Sequence, residues 1–183
     1  MIRGLLWILA AIVLGGIVHL STVLAMPHTA TQDAYSRLAP LTPVNAVVPL
    51  ASPTAKSAIM PFMDPDFAAA VCRYDLTNGS LKLIAPVSQA YTSVTFYTRK
   101  SIAYYAINDR AAGRHSIELD LMTPEQHAAL PEEEDVTAAD RLIIESPSTM
   151  GLIVLRALAP EPGLMPMARQ ALAGATCGIQ PVQ

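Results

Sequence analysis

The sequence predicts a mainly β body, an antiparallel sandwich or jelly-roll-like domain with two short helices, preceded by one N-terminal transmembrane helix. Three observations carry this reading. Residues 4–25 form an uncharged apolar run; residues 26–65 are dense in proline; and residues 71–159 hold a series of short apolar or alternating stretches separated by turn residues. The chain has 183 residues, so the part after residue 25 is long enough for one substantial core. The predicted organisation is a membrane segment at 1–25, a Pro-rich stalk and domain entrance at 26–65, and the β-rich domain at 66–183.

From Gly4 to Ala25 the only ionisable side chain is His19. A helix of that length spans roughly 33 Å, against about 30 Å of bilayer hydrocarbon. Arg3 precedes the run and Asp33 is the first charge after it. The positive-inside rule then puts the N-terminus in the cytoplasm and the body across the inner membrane, in the periplasm or an equivalent extracytoplasmic space. Two fates fit: a retained signal anchor, or a signal peptide cut after Ala25, where Val23 and Ala25 are small enough for a cleavage site. Either fate places Cys72 and Cys177 in an oxidising compartment. They form one bridge closing a loop of about 105 residues, or remain two buried thiols.

In residues 26–65, Pro27, Pro40, Pro43, Pro49, Pro53, Pro61 and Pro65 exclude long helices. A short helix is expected near Asp33–Leu38, with Thr31 as its cap. Val71–Thr77 and Ser80–Ala85 flank Asn78-Gly79, the favoured dipeptide of a two-residue hairpin. That hairpin would set Leu76 opposite Leu81, Tyr74 opposite Leu83 and Asp75 opposite Lys82. Tyr91–Thr98 reads as a further strand, and Ile102–Ile107, apolar on both faces, as an interior one. Arg114–Leu121 alternates cleanly, and Arg141–Glu145 and Leu152–Ala159 complete the strand series. Thr123-Pro124-Glu125-Gln126 has the pattern of a capping box. Leu164, Ala168, Ala171 and Leu172 recur at helical spacing before Gly174, a plausible stop.

The chemistry is sparse. The net charge of −3, with Lys and Arg scattered, gives no basic stripe for nucleic acid. His19, His28, His115 and His127 lack the paired spacing of a metal site, and no nucleophile elbow, Walker loop or dinucleotide fingerprint is present. Glu132-Glu133-Glu134-Asp135 reads as a solvated loop, since it lacks the spaced acids and glycine of a calcium loop. Ser146-Pro147-Ser148-Thr149 reads as a turn. No catalytic residue, metal or cofactor is expected. The candidate ligand contacts are Asp109 and Arg110, between two strands, with Tyr97. There Asp109 could orient the planar Arg110 fork toward an anion, or the pair could simply close a turn.

Cys72-Arg73-Tyr74-Asp75-Leu76-Thr77-Asn78-Gly79 resembles a motif of the DUF1254 family, a bacterial family of unknown function. The segment from Tyr97 to Asn108-Asp109-Arg110, and Pro160-Glu161-Pro162-Gly163-Leu164 with the last helix, resemble its later parts. Asn78 and Ser80 depart mildly from the family's usual turn. The resemblance implies a β-rich domain. Longer members carry a second domain, DUF1214, for which this chain leaves no room, so it also implies a DUF1214-like protein as partner, alongside the lipid bilayer. The expected function is that of an assembly or interaction protein of the bacterial envelope. The alternatives are a small-molecule or carbohydrate binding module, or one subunit of a two-chain enzyme.

Overall fold

The structure, a computed structural model, describes residues 2–29, 33–110, 116–130 and 142–180. The chain forms two compact units, Met1–Asp33 and Ala34–Gln183. The first is one helix, α1 (Ile2–Thr29). Its stretch Ile2–Met26 has a mean hydropathy of 2.3 and is long and apolar enough to cross a membrane.

The second unit is a two-sheet β body. One sheet has the spatial order β1-β2-β8-β4-β5, where β1 is Val47–Pro49, β2 Phe67–Asp75, β8 Met150–Leu158, β4 Thr92–Thr98 and β5 Ala103–Asn108. The other has the order β7-β6-β3-β9, with β7 Leu142–Glu145, β6 Ser116–Met122, β3 Ser80–Pro86 and β9 Thr176–Gln180. All named pairs are antiparallel except β6 with β7, which run parallel. A parallel pair needs a crossover, and α3 (Pro124–Ala128) lies in that connection.

Alternation decides which side chains make the core. Ala70, Cys72 and Tyr74 of β2, Val94 and Phe96 of β4, and Ile153 and Leu155 of β8 point inward. They meet Leu81, Leu83 and Ala85 of β3 and Ile117, Leu119 and Leu121 of β6. Short helices accompany the sheets. Thr123 and Gln126 form the expected reciprocal capping box on α3. The helix α4 (Met165–Ala173) buries Ala168 and Leu172 and stops at Gly174, while Ala171 is half-buried and Leu164 exposed. Cys72 of one sheet and Cys177 of the other are disulfide-bonded, with Cα atoms 6.6 Å apart.

The Asn78-Gly79 hairpin is not formed. β2 is flanked by β1 and β8, and β3 by β6 and β9, so the turn is a corner between sheets. Its backbone shows why: Gly79 has φ 144, but Asn78 is not in the left-handed region that a tight hairpin turn requires at both centres. The inward pattern of Tyr74, Leu76, Leu81 and Leu83 is real, but these residues face one another across the core. Lys82 has Asp120 as its acidic cross-strand neighbour, not Asp75.

The expected interior strand at 102–107 is the edge strand β5. A register shift at Phe96/Tyr97 lets both Tyr104 and Tyr105 pack on Phe96, with centroids 6.2 and 6.0 Å away. Apolar character on both faces thus reflects a bulge, not a covered strand. The short strands β1 and β9 carry no clear pattern and were not expected.

From Ala34 onward the Pro-rich segment is part of the compact β-rich unit. The short helix α2 (Ala34–Leu38) buries Tyr35 and Leu38, while Thr31 lies outside the described residues. The Arg73 guanidinium donates to the Thr42 carbonyl at 3.0 and 2.6 Å and lies 5.2 Å from the Tyr35 ring centroid. Arg99 lies 4.2 Å from the same ring. Asn45, at φ 58, extends the sheet with its side chain, exchanging hydrogen bonds with the Asp75 backbone. Proline keeps the regular elements here short, but Leu38 still gains about 1.5–3 kcal/mol by burial against the sheet.

Candidate functional site

The same alternation that fills the core leaves Val71, Tyr97, Leu152, Val154 and Arg156 on the outer face of the five-stranded sheet. An outer face this apolar needs cover, and the irregular segment supplies it. Leu38, Val71 and Leu152 form a second buried cluster, joined by Leu50, Ile59, Met60, Tyr97 and Val154. Between this cover and the sheet lies a groove of about 320 Å³. Phe67, Val71, Leu152 and Val154 are among its apolar lining. Asp64, Ser101, Tyr97 and Arg156 bring polar groups to it. Two rim residues, Phe62 (φ 60) and Ser101 (φ 61), sit in the left-handed region without being glycine, and the Phe62 side chain is fully exposed.

Of the sequence-level candidates, only Tyr97 lines this groove. Asp109 and Arg110 follow Asn108, which pairs with Ser93, four residues from Tyr97, so they lie roughly 13 Å away along the strand. They form a turn: the Arg110 amide donates to Asn108 Oδ1 at 3.1 Å, and the Asp109 amide to the Thr92 carbonyl at 2.9 Å. Asp109 Oδ1 is buried without a hydrogen-bond partner among the described residues, and Arg110 is exposed. The acidic run at 132–135 and His115 lie outside the described residues. His127 Nδ1 meets Glu145 Oε1 at 2.7 Å in an exposed pair. Among the described residues no three His, Cys, Asp or Glu side chains group as a metal site.

Inside the body, the hydroxyls of Tyr74, Ser146 and Tyr104 form a network. Tyr74 lies 2.9 Å from Ser146 and 3.1 Å from Tyr104, and Ser146 donates to the Ser148 carbonyl at 2.6 Å. This fixes the 146–149 turn and leaves Ser146, only 1% exposed, inaccessible as a nucleophile. Burial pushes the Tyr104 phenol well above the ordinary tyrosine value of 10.0. The raised pKa means the neutral phenol stabilises the fold fully below the unfolded value, and that contribution is lost as pH rises above it. The stability advantage of the native protein over a Tyr104→Phe variant therefore shrinks between about pH 9 and about pH 11. Denaturant midpoints measured across that range check this; a constant difference would contradict it.

A two-sheet β sandwich with a proline-rich cover and an N-terminal apolar helix defines the class. The chain belongs to the DUF1254 family: the family model, described as "Protein of unknown function (DUF1254)", matches residues 44–178. Among solved structures, the VPA0106 protein from Vibrio parahaemolyticus is similar, with TM-score 0.58 and 13% identity over 82% of this chain and 37% of that one. A putative uncharacterized protein from Burkholderia cenocepacia gives TM-score 0.48 and 12% identity over 76% of this chain and 35% of that one. This chain thus spans little more than a third of either protein's length. No curated protein matches it.

Proposed function

We propose that the protein is an anchored interaction module of the bacterial envelope, its helix held in the inner membrane and its β body in the periplasm, where it assembles with a second envelope protein. The observation that carries this reading is the pairing of one uncharged, membrane-length helix with a disulfide-closed body. The helix supports a bilayer as one partner, and the disulfide supports an oxidising compartment for the body. In VPA0106 the same fold is about a third of a longer chain, which supports a body built to pack against further structure. A DUF1214-like protein is the partner proposed. The flank beside β5 is a suitable surface, because Ile102 and Tyr105 are 62% and 38% exposed at an unpaired sheet edge.

The test uses the full chain in bacterial membranes. Thiol alkylation of intact cells is expected to label neither cysteine until reductant is added, and crosslinking before solubilisation is expected to retain a second envelope protein. Free cysteines in untreated cells would overturn the placement. Recovery of uncrosslinked monomer alone would overturn the assembly role.

A further inference from the structure

The outer groove has two chemically different ends. At one end Leu152 packs with Leu38 and Val71, beside Tyr97. Along β8 the floor continues through Val154 to Arg156, four positions and roughly 13 Å from Leu152. The Arg156 side chain is exposed and has no hydrogen bond or ion pair among the described residues. The one carboxylate in the lining, Asp64, accepts the Asp66 amide at 3.0 Å through Oδ1 and stands in an exposed loop.

The volume of 320 Å³ holds roughly ten non-hydrogen atoms, at about 30 Å³ for each. That is the low end of small-molecule sites, and too small for a two-chain lipid. An apolar floor ending at an unpaired guanidinium complements a molecule with one aliphatic chain and one anionic head, because the planar fork takes a carboxylate through two parallel hydrogen bonds. The rim adds a second observation. Phe62 and Ser101 both hold left-handed backbones, strain of a kind that gathers at ligand clamps, and the Phe62 ring is held in solvent at the mouth.

We propose that this groove binds a medium-chain carboxylate, with the chain along Leu152 and Val154, the head on Arg156 and Phe62 beside the entrance. The site is distinct from the β5 flank and does not depend on the assembly role.

The test places the full chain in phosphatidylcholine nanodiscs. A Trp7→Phe, Phe62→Trp double variant puts the single tryptophan at the groove mouth. Decanoate is expected to shift its emission saturably to the blue, and to raise the melting temperature of the unsubstituted chain, with empty discs as the blank. Adding Arg156→Gln is expected to weaken binding about tenfold or more, as loss of a charged hydrogen-bonded contact does, without lowering the melting temperature of the free protein. Decanol is expected to bind more weakly than decanoate by a similar factor. Phosphatidylglycerol discs without decanoate separate two sources of the anionic amphiphile. An Arg156-dependent shift there, from a two-chain lipid too large for the groove, would overturn the carboxylate assignment; silence there, with a decanoate response, supports it. No saturable response in either disc, an undiminished response in Arg156→Gln, or tighter binding of decyltrimethylammonium would overturn the proposal.

Discussion

Replacing Gly151 by alanine is expected to lower the melting temperature by roughly 6–12 °C, corresponding to about 3 kcal/mol in a domain of this size. Gly151, the second residue of β8, pairs with Tyr74 on one side and Thr98 on the other. A Cβ there would collide with the Tyr97 carbonyl oxygen and with the ring and hydroxyl of Tyr74. Neither obstacle can yield cheaply. The carbonyl belongs to a paired strand, and Tyr74 is fully buried and hydrogen-bonded to Ser146 and Tyr104. Moving the ring would leave buried hydroxyls unpaired, which adds to the steric cost. A Cβ at Gly163 meets nothing within 4 Å, so Gly163→Ala is the control and should melt within about 2 °C of the unsubstituted chain. Thermal unfolding followed by circular dichroism compares them. Equal melting of the two variants would show that the β8 entrance is looser than its packing implies.

Loss of the Cys72–Cys177 bridge is expected to cost about 4–5 kcal/mol in the chain-entropy account, because the two residues lie 105 positions apart and the closed loop takes in most of the body. The bond also joins β2 of one sheet to β9 of the other, so it limits sheet separation as well as chain freedom. A Cys72→Ala, Cys177→Ala double variant should melt roughly 10–20 °C lower. Reductant should lower the native protein's melting temperature and leave the double variant unmoved. Coincident melting of reduced and oxidised native protein would rule out this contribution.

Much of the fold was legible because alternation reports which residues face inward. Tyr74, Leu76, Leu81 and Leu83 are all in the core. Alternation does not report whether two such residues lie side by side in one sheet or face each other across two. That is why the 78–79 corner resembles a hairpin in sequence. The α3 capping box and the Gly174 stop were legible because each depends on residues within one turn. The groove was not. It joins residues near 34–38, 50, 60–64, 67–71, 97–101 and 152–156, which share no spacing. Its cover is proline-rich, so propensity alone assigns it to a linker, whereas the apolar outer row of β2 and β8 gives it a surface to bury. Arg156 gave only the signal of a lone cation in an apolar strand, and Tyr97 stood out beside Asp109 and Arg110 rather than beside the residues it meets in the groove.

The corner at Asn78-Gly79 bears on how the chain reaches this state. With no hairpin between β2 and β3, neither strand is followed in sequence by a partner, and β2 has only the three-residue β1 before it. Asp75 waits for Met150, and Leu83 for Leu119 and Cys177. β8 lies between β2 and β4, so the five-stranded sheet stays in two pieces until that strand emerges. A chain delivered N-terminus first must carry unpaired edges through most of its synthesis. Contacts this distant in sequence slow folding, and edges left open for that interval are exposed to aggregation until their partners arrive.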